Sequence, residues 1–185
     1  MFVESSFYIH LFRFYSKCLA APYDELGFEL QHIFRQMEIS SQNELDEQLA
    51  AHCLDILNYY QGEDTSSLQA EFTRIFSHIE GEAPLVSIRF TDYGDKERAQ
   101  DILDEMYDSM LEISYDESPD SLINFLDYYS YLSETGEVVD ALATFSMIFV
   151  PFCKKFYTAA NINFYKEVAK GLSELASIFK DFNGI

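Results

Sequence analysis

Tryptophan is absent from this 185-residue chain, and cations are scarce: 12 Lys and Arg stand against 32 Asp and Glu, a formal charge of −20. The deficit is concentrated, since no Lys or Arg occurs from Ala99 to Cys153 while twelve Asp and Glu do. Such a chain is poorly equipped to displace the counterions of a nucleic acid and is disfavoured at an anionic membrane. A basic peptide is instead drawn towards it.

Other absences narrow the chemistry. Cys18, Cys53 and Cys153 form no CxxC pair and sit among apolar neighbours. They are expected as buried thiols in a reducing compartment rather than as a disulfide framework. His10, His32, His52 and His78 are twenty or more residues apart, so no zinc spacing exists, and the Glu-x-x-His repeat of a di-iron bundle is missing. Gly62, Gly81, Gly94, Gly136 and Gly171 are isolated and offer no phosphate cradle. With no G-x-S-x-G motif either, carboxylate pairs read as solvated helix faces; neither an enzyme nor a cofactor is expected. The most apolar stretch, Val138 to Cys153, has 16 residues, includes Asp140 and Pro151, and falls short of the ~20 that span a bilayer. Glu4, His10 and Arg13 interrupt the apolar beginning, so no secretory leader is read there and a cytoplasmic protein is expected.

What the chain has in plenty is helical periodicity, with aromatic and aliphatic residues recurring at three- and four-residue intervals. The fold expected is a single all-α domain, a bundle of seven or eight helices with one long mid-chain loop. Helices are predicted over 5–20 and 24–37. A third runs through Tyr60, capped by Asn43 or Ser41, and a fourth, capped by Thr65 or Ser66, reaches Ile79. The pattern fails from Glu80 to Asp95, EGEAPLVSIRFTDYGD, a loop whose length suggests function and which is the candidate hinge. Residues 85–90 read as a short extended piece. A fifth helix runs from Asp95 or Lys96 to Ile113 and carries an acidic face, Asp101, Asp104, Glu105, Asp108 and Glu112. The sixth is expected to use Ser118 as N-cap, Pro119 as its first residue and Asp120 at the positive helix end, and to stop at Gly136. The seventh, 137–157, is apolar nearly all round and is expected at the centre, kinked at Pro151. Asn161 or Asn163 caps the last.

Four stretches stand out in order: Glu71-Phe72-Thr73-Arg74-Ile75-Phe76; Ala83-Pro84-Leu85-Val86-Ser87; Pro119-Asp120-Ser121-Leu122; and Phe149-Val150-Pro151-Phe152. Their order and spacing resemble the TorD/DmsD/NarJ family of cytoplasmic molybdoenzyme maturation chaperones. Members typically carry an E-[YF]-x-R-L-F-like helix, a proline-rich loop with a serine, a P-D-H-L-like helix start and an aromatic-x-Pro-x-Phe segment. The likeness covers roughly residues 68 to 175. Ser121 stands where the family carries histidine, and the tryptophans usual in these segments are absent.

The resemblance implies a chaperone whose partner is the precursor of a molybdoenzyme catalytic subunit, held through its twin-arginine signal peptide before cofactor insertion and export or assembly. Phe72, Ile75, Phe76, Pro84 and Ser87 are the residues expected to meet the apolar part of the peptide. Asp120, with Glu117 and Ser121, is expected at its cations. A monomer is the default. The rival reading is an acidic helical adaptor that binds another basic peptide or helix, unrelated to redox enzymes.

Overall fold

A computed structural model describes residues 6–78, 81–109 and 118–182. Among these, the regular elements are eight α-helices and two short 3-10 turns, as the periodicity predicts. The helices are α1 (Ser6–Leu19), α2 (Leu26–Ser40), α3 (Glu44–Gln61), α4 (Thr65–Phe76), α5 (Lys96–Asp108), α6 (Leu122–Thr135), α7 (Leu142–Ala159) and α8 (Asn163–Phe182). The 3-10 turns are Phe90–Asp92 and Val138–Ala141. No described helix is long and apolar enough to cross a membrane.

The centre differs from expectation. In α7 the residues Phe145, Ile148, Phe149, Phe152 and Phe156 form one buried stripe, but Val150 and Tyr157 on the opposite side are exposed. Helix α1 is enclosed more fully, since Tyr8, Phe12 and Leu19 are buried in addition to the expected Phe7, Leu11, Phe14, Tyr15 and Cys18. It packs along α6 and α2 and also touches α3 and α8. Where these helices meet α7, rings stack edge to face: Phe12 lies 5.6 Å from Tyr129 and from Phe145, and Phe145 lies 5.2 Å from Phe179. Rings at 4.5–7 Å add to the hydrophobic gain of burying them.

One close approach fixes the distance between α1 and α8. A Cβ placed on Gly171 would lie 2.2 Å from the Tyr15 hydroxyl, so only glycine fits at that turn of α8. All three cysteines are buried thiols, and burial pushes their pKa values up.

Helix ends follow local chemistry with some corrections. Asn43 caps α3 and Asp95 caps α5, as predicted, each side chain accepting a backbone N–H three residues on. Asp64, not Thr65 or Ser66, caps α4: its carboxylate accepts both the backbone N–H and the hydroxyl of Ser67, at 2.9 and 2.6 Å. Helix α4 ends at Phe76; Ile79 and Glu80 lie outside the described residues, as do Glu112 and Ile113 of the expected fifth helix. Gly136 closes α6 in the left-handed conformation, φ 82°. Residues 138–141 form a separate 3-10 turn, so α7 starts five residues later than expected, at Leu142. Pro151 stands inside α7, and Asn163 is the first residue of α8 rather than its cap.

Candidate functional site

The loop between α4 and α5 is where the motif-bearing segments meet. Val86 donates its backbone N–H to the Ile75 carbonyl at the end of α4, 3.0 Å. Phe90 N–H donates to the Asp120 carbonyl at 2.8 Å, and Leu122 N–H donates to the Ile88 carbonyl at 2.7 Å. These two bonds form an isolated antiparallel bridge, Arg89 opposite Ser121, which realises the extended piece predicted over 85–90. Val86, Phe90 and Tyr93 are buried, so the loop is anchored by side chains as well. The Tyr93 ring meets Phe152 of the fourth motif edge to face, 5.7 Å between centroids. Four segments separated by tens of residues thus form one region.

The start of α6 is built differently from the sequence reading. Ser118, Pro119 and Asp120 make a turn, closed by Ser121 N–H on the Ser118 carbonyl at 2.8 Å. The N-cap is Ser121, whose hydroxyl oxygen accepts the Asn124 N–H at 3.1 Å. A buried cap of this kind stabilises a helix by about 1 kcal/mol. The position that carries histidine in the resembled family is therefore filled here by a capping hydroxyl.

Asp120, directly before the cap, is buried and fully engaged. Its carboxylate accepts Arg89 Nε at 2.7 Å, Thr91 Oγ1 at 2.6 Å and Ser118 Oγ at 2.6 Å. Burial alone would raise its pKa, but these donors outweigh it and hold the carboxyl below its usual range. Sequence reasoning missed Arg89 and Thr91. A signal existed: Arg89 is the one cation in the acidic stretch from Glu80 to Asp95.

Glu71 and Arg74 make a second engaged pair. Arg74 donates two hydrogen bonds to the Glu71 carboxylate, 2.7 and 2.8 Å, and a third to the Ala159 carbonyl at the end of α7, 2.5 Å. Glu71 also accepts the Asn161 backbone N–H at 2.5 Å, on the way into α8. A cation thus sits at the negative end of one helix and an anion at the positive end of the next. The Arg74 hydrogen bond is the main cause that lowers the Glu71 pKa, with Asn161 and Ile162 N–H groups adding to it.

The expected site residues fall into two sets. Ile75, Phe76, Asp120 and Ser121 are buried. Phe72, Pro84 and Ser87 are half-buried and reachable, beside the exposed Leu85. Phe72 leans on Phe76, 5.1 Å between rings. Ser87 donates to Asp92 and accepts the Arg89 N–H at 3.2 Å, so it shapes the loop. Glu117 lies outside the described residues. On α5, Asp101, Asp104, Glu105 and Asp108 all face solvent.

Comparison with known proteins gives a fold relationship. No protein-family model matches the chain, and no curated protein matches it in sequence. A solved structure, that of a proposed redox enzyme maturation protein from Archaeoglobus fulgidus, superposes with a TM-score of 0.57 at 17% identity. The match covers 96% of this chain and 94% of that one. The shared fold therefore extends over essentially the whole length of both.

Proposed function

We propose that this protein is a non-catalytic cytoplasmic chaperone that binds a subunit of a molybdopterin-dependent oxidoreductase, through the subunit's twin-arginine signal peptide, before cofactor insertion and export or assembly. The observation that carries the reading is the convergence of the four motif segments through the α4–α5 loop and the start of α6. The full-length likeness to a proposed redox enzyme maturation protein supports it.

The division between buried and reachable residues gives the mode of binding. Phe72, Pro84 and Leu85 offer apolar surface to the hydrophobic part of the leader, and Ser87 lies beside them. Ile75, Phe76, Asp120 and Ser121 support that surface from beneath. The exposed carboxylates of α5 steer the leader's cations by long-range attraction, which raises the association rate more than the residence time.

The test is calorimetry with the precursor of a molybdoenzyme subunit and with its leaderless form. Binding to the precursor alone, weakening as ionic strength rises, is the expected result. Equal binding to both forms removes the signal peptide from the reading. Binding to neither, with capture of an unrelated basic helix, leaves the acidic adaptor.

A further inference from the structure

The longest cation-free region of the sequence contributes most of a cavity of about 460 Å³ between α5, α6 and the 138–141 turn. Its wall carries Tyr128, Tyr131, Glu105, Asp108 and Glu137, with Arg98 on one side. Arg98 is committed: it donates to Glu105 at 3.1 Å and to Thr144 Oγ1 at 3.3 Å. Asp108 and Glu137 enter no ion pair among the described residues. The formal charge of the lining is therefore −2, from three carboxylates and one guanidinium.

Tyr128 is the independent sign of a ligand. Its side chain is 94% buried, yet its hydroxyl has no hydrogen-bond partner among the described residues. Burial first, and then the Glu105 and Glu137 carboxylates, push its pKa up to about 12. The charges this hydroxyl senses belong to the cavity wall, which directs it towards the cavity. The Tyr128 and Tyr131 rings lie nearly parallel, 19° apart with centroids at 6.4 Å, and supply an aromatic face beside the carboxylates.

We propose that this cavity is a binding site for a guanidinium group, carried by an arginine side chain of a bound peptide. A planar cation with several N–H donors can lie against a tyrosine ring while it forks onto a carboxylate, which a compact ammonium does less well. An anion would meet a net negative wall, and an uncharged apolar group would strip water from carboxylates without replacing it. The volume sits at the lower end of the range for ligand pockets and suits one extended side chain. The inference rests on the chaperone reading only for the identity of the molecule that bears the guanidinium. Because Asp120 already holds Arg89, the site also gives the peptide's cation a place that needs no internal pair to open.

The test titrates acetyl-Arg-Arg-Leu-amide, its double-lysine counterpart and its double-citrulline counterpart into the intact protein, followed by NMR of the tyrosine rings. The arginine peptide should shift the Tyr128 and Tyr131 resonances, the lysine peptide should bind several-fold more weakly, and the uncharged isostere should leave the rings unmoved. Asp108→Asn and Glu137→Gln, both at exposed positions that leave the core intact, should each weaken the arginine peptide about fivefold to tenfold. Citrulline binding as well as arginine, or shifts confined to residues 85–91, overturns the site. A Glu137→Gln protein that holds the full precursor as tightly as the native protein also overturns it while leaving the chaperone reading intact. If the native protein binds no precursor but its tyrosines still respond to the arginine peptide alone, the chaperone reading fails and the cavity stands.

Discussion

Two arginine–carboxylate pairs hold the motif-bearing segments in place, and they are built for different jobs. Glu71 and Arg74 lie one turn apart on α4 and reach outward together to the α7–α8 connection, so a single helix carries both halves of the latch. Asp120 and Arg89 come from segments 31 residues apart and exist as a pair only once the loop has folded onto α6. Both carboxylates are buried, but the Arg89 side chain is 57% exposed against 36% for Arg74. The first pair joins helices to one another. The second joins a loop to a helix start and leaves its cation within reach of solvent. Residues that look from sequence like a ligand set therefore also include the fastenings of the surface.

The comparison breaks most visibly at Glu71. Glu71→Ala leaves Arg74 and the Asn161 N–H without their acceptor, and should cost about 3–5 kcal/mol, lowering the thermal midpoint by roughly 10 °C in a scan. Asp120→Ala should cost less, about 2–3 kcal/mol, because the Ser118 and Thr91 hydroxyls can turn elsewhere. Its effect should be local, seen as faster hydrogen exchange over residues 86–91 with α7 and α8 still protected. The arginines should differ in the same sense: about 2 kcal/mol for Arg74→Ala, which abandons a helix-end carbonyl, and under about 1 kcal/mol for the more exposed Arg89→Ala. Equal losses in chemical denaturation would erase the distinction between the two latches.

Acid gives the smallest and sharpest comparison. Both carboxyls titrate below their ordinary values in the folded protein. The stability they confer is complete above the unfolded values, near 4.3 for Glu and 3.9 for Asp, and is lost as pH falls through the lower folded values. Unfolding curves from about pH 5 down to pH 3 should thus fall less steeply for Glu71→Gln than for the native chain.

Much of the fold is written in local pattern. Helix existence follows from three- and four-residue spacing, and Asn43, Asp95 and Gly136 end their helices where short-range chemistry says they should. Ser118 and Ser121 show the limit. Both are good caps in isolation, and the choice falls to Ser121 because Leu122 N–H is taken by Ile88 across the bridge and Asp120 is turned to Arg89, contacts that no local pattern contains. Likewise Phe72, Ile75 and Phe76 share one helical stripe in sequence, yet only Phe72 is left reachable once Phe156 covers Phe76. The α5–α6 cavity was half legible: the acidic face of α5 was plain, but Tyr128 and Tyr131 read as part of a striped helix until a second helix was laid beside them.

The near-complete enclosure of α1 bears on how the molecule is made. Its main neighbour α6 lies more than a hundred residues downstream, and α8, which Tyr15 presses at Gly171, lies farther still. During synthesis at roughly 5–20 residues per second, α1 leaves the ribosome about 10 s or more before α8 can close over it. For that interval a strip of phenylalanine and tyrosine has only α2 and α3 for shelter. A large share of the native contacts thus waits on distant chain, so folding should be slow for a helical bundle of this size.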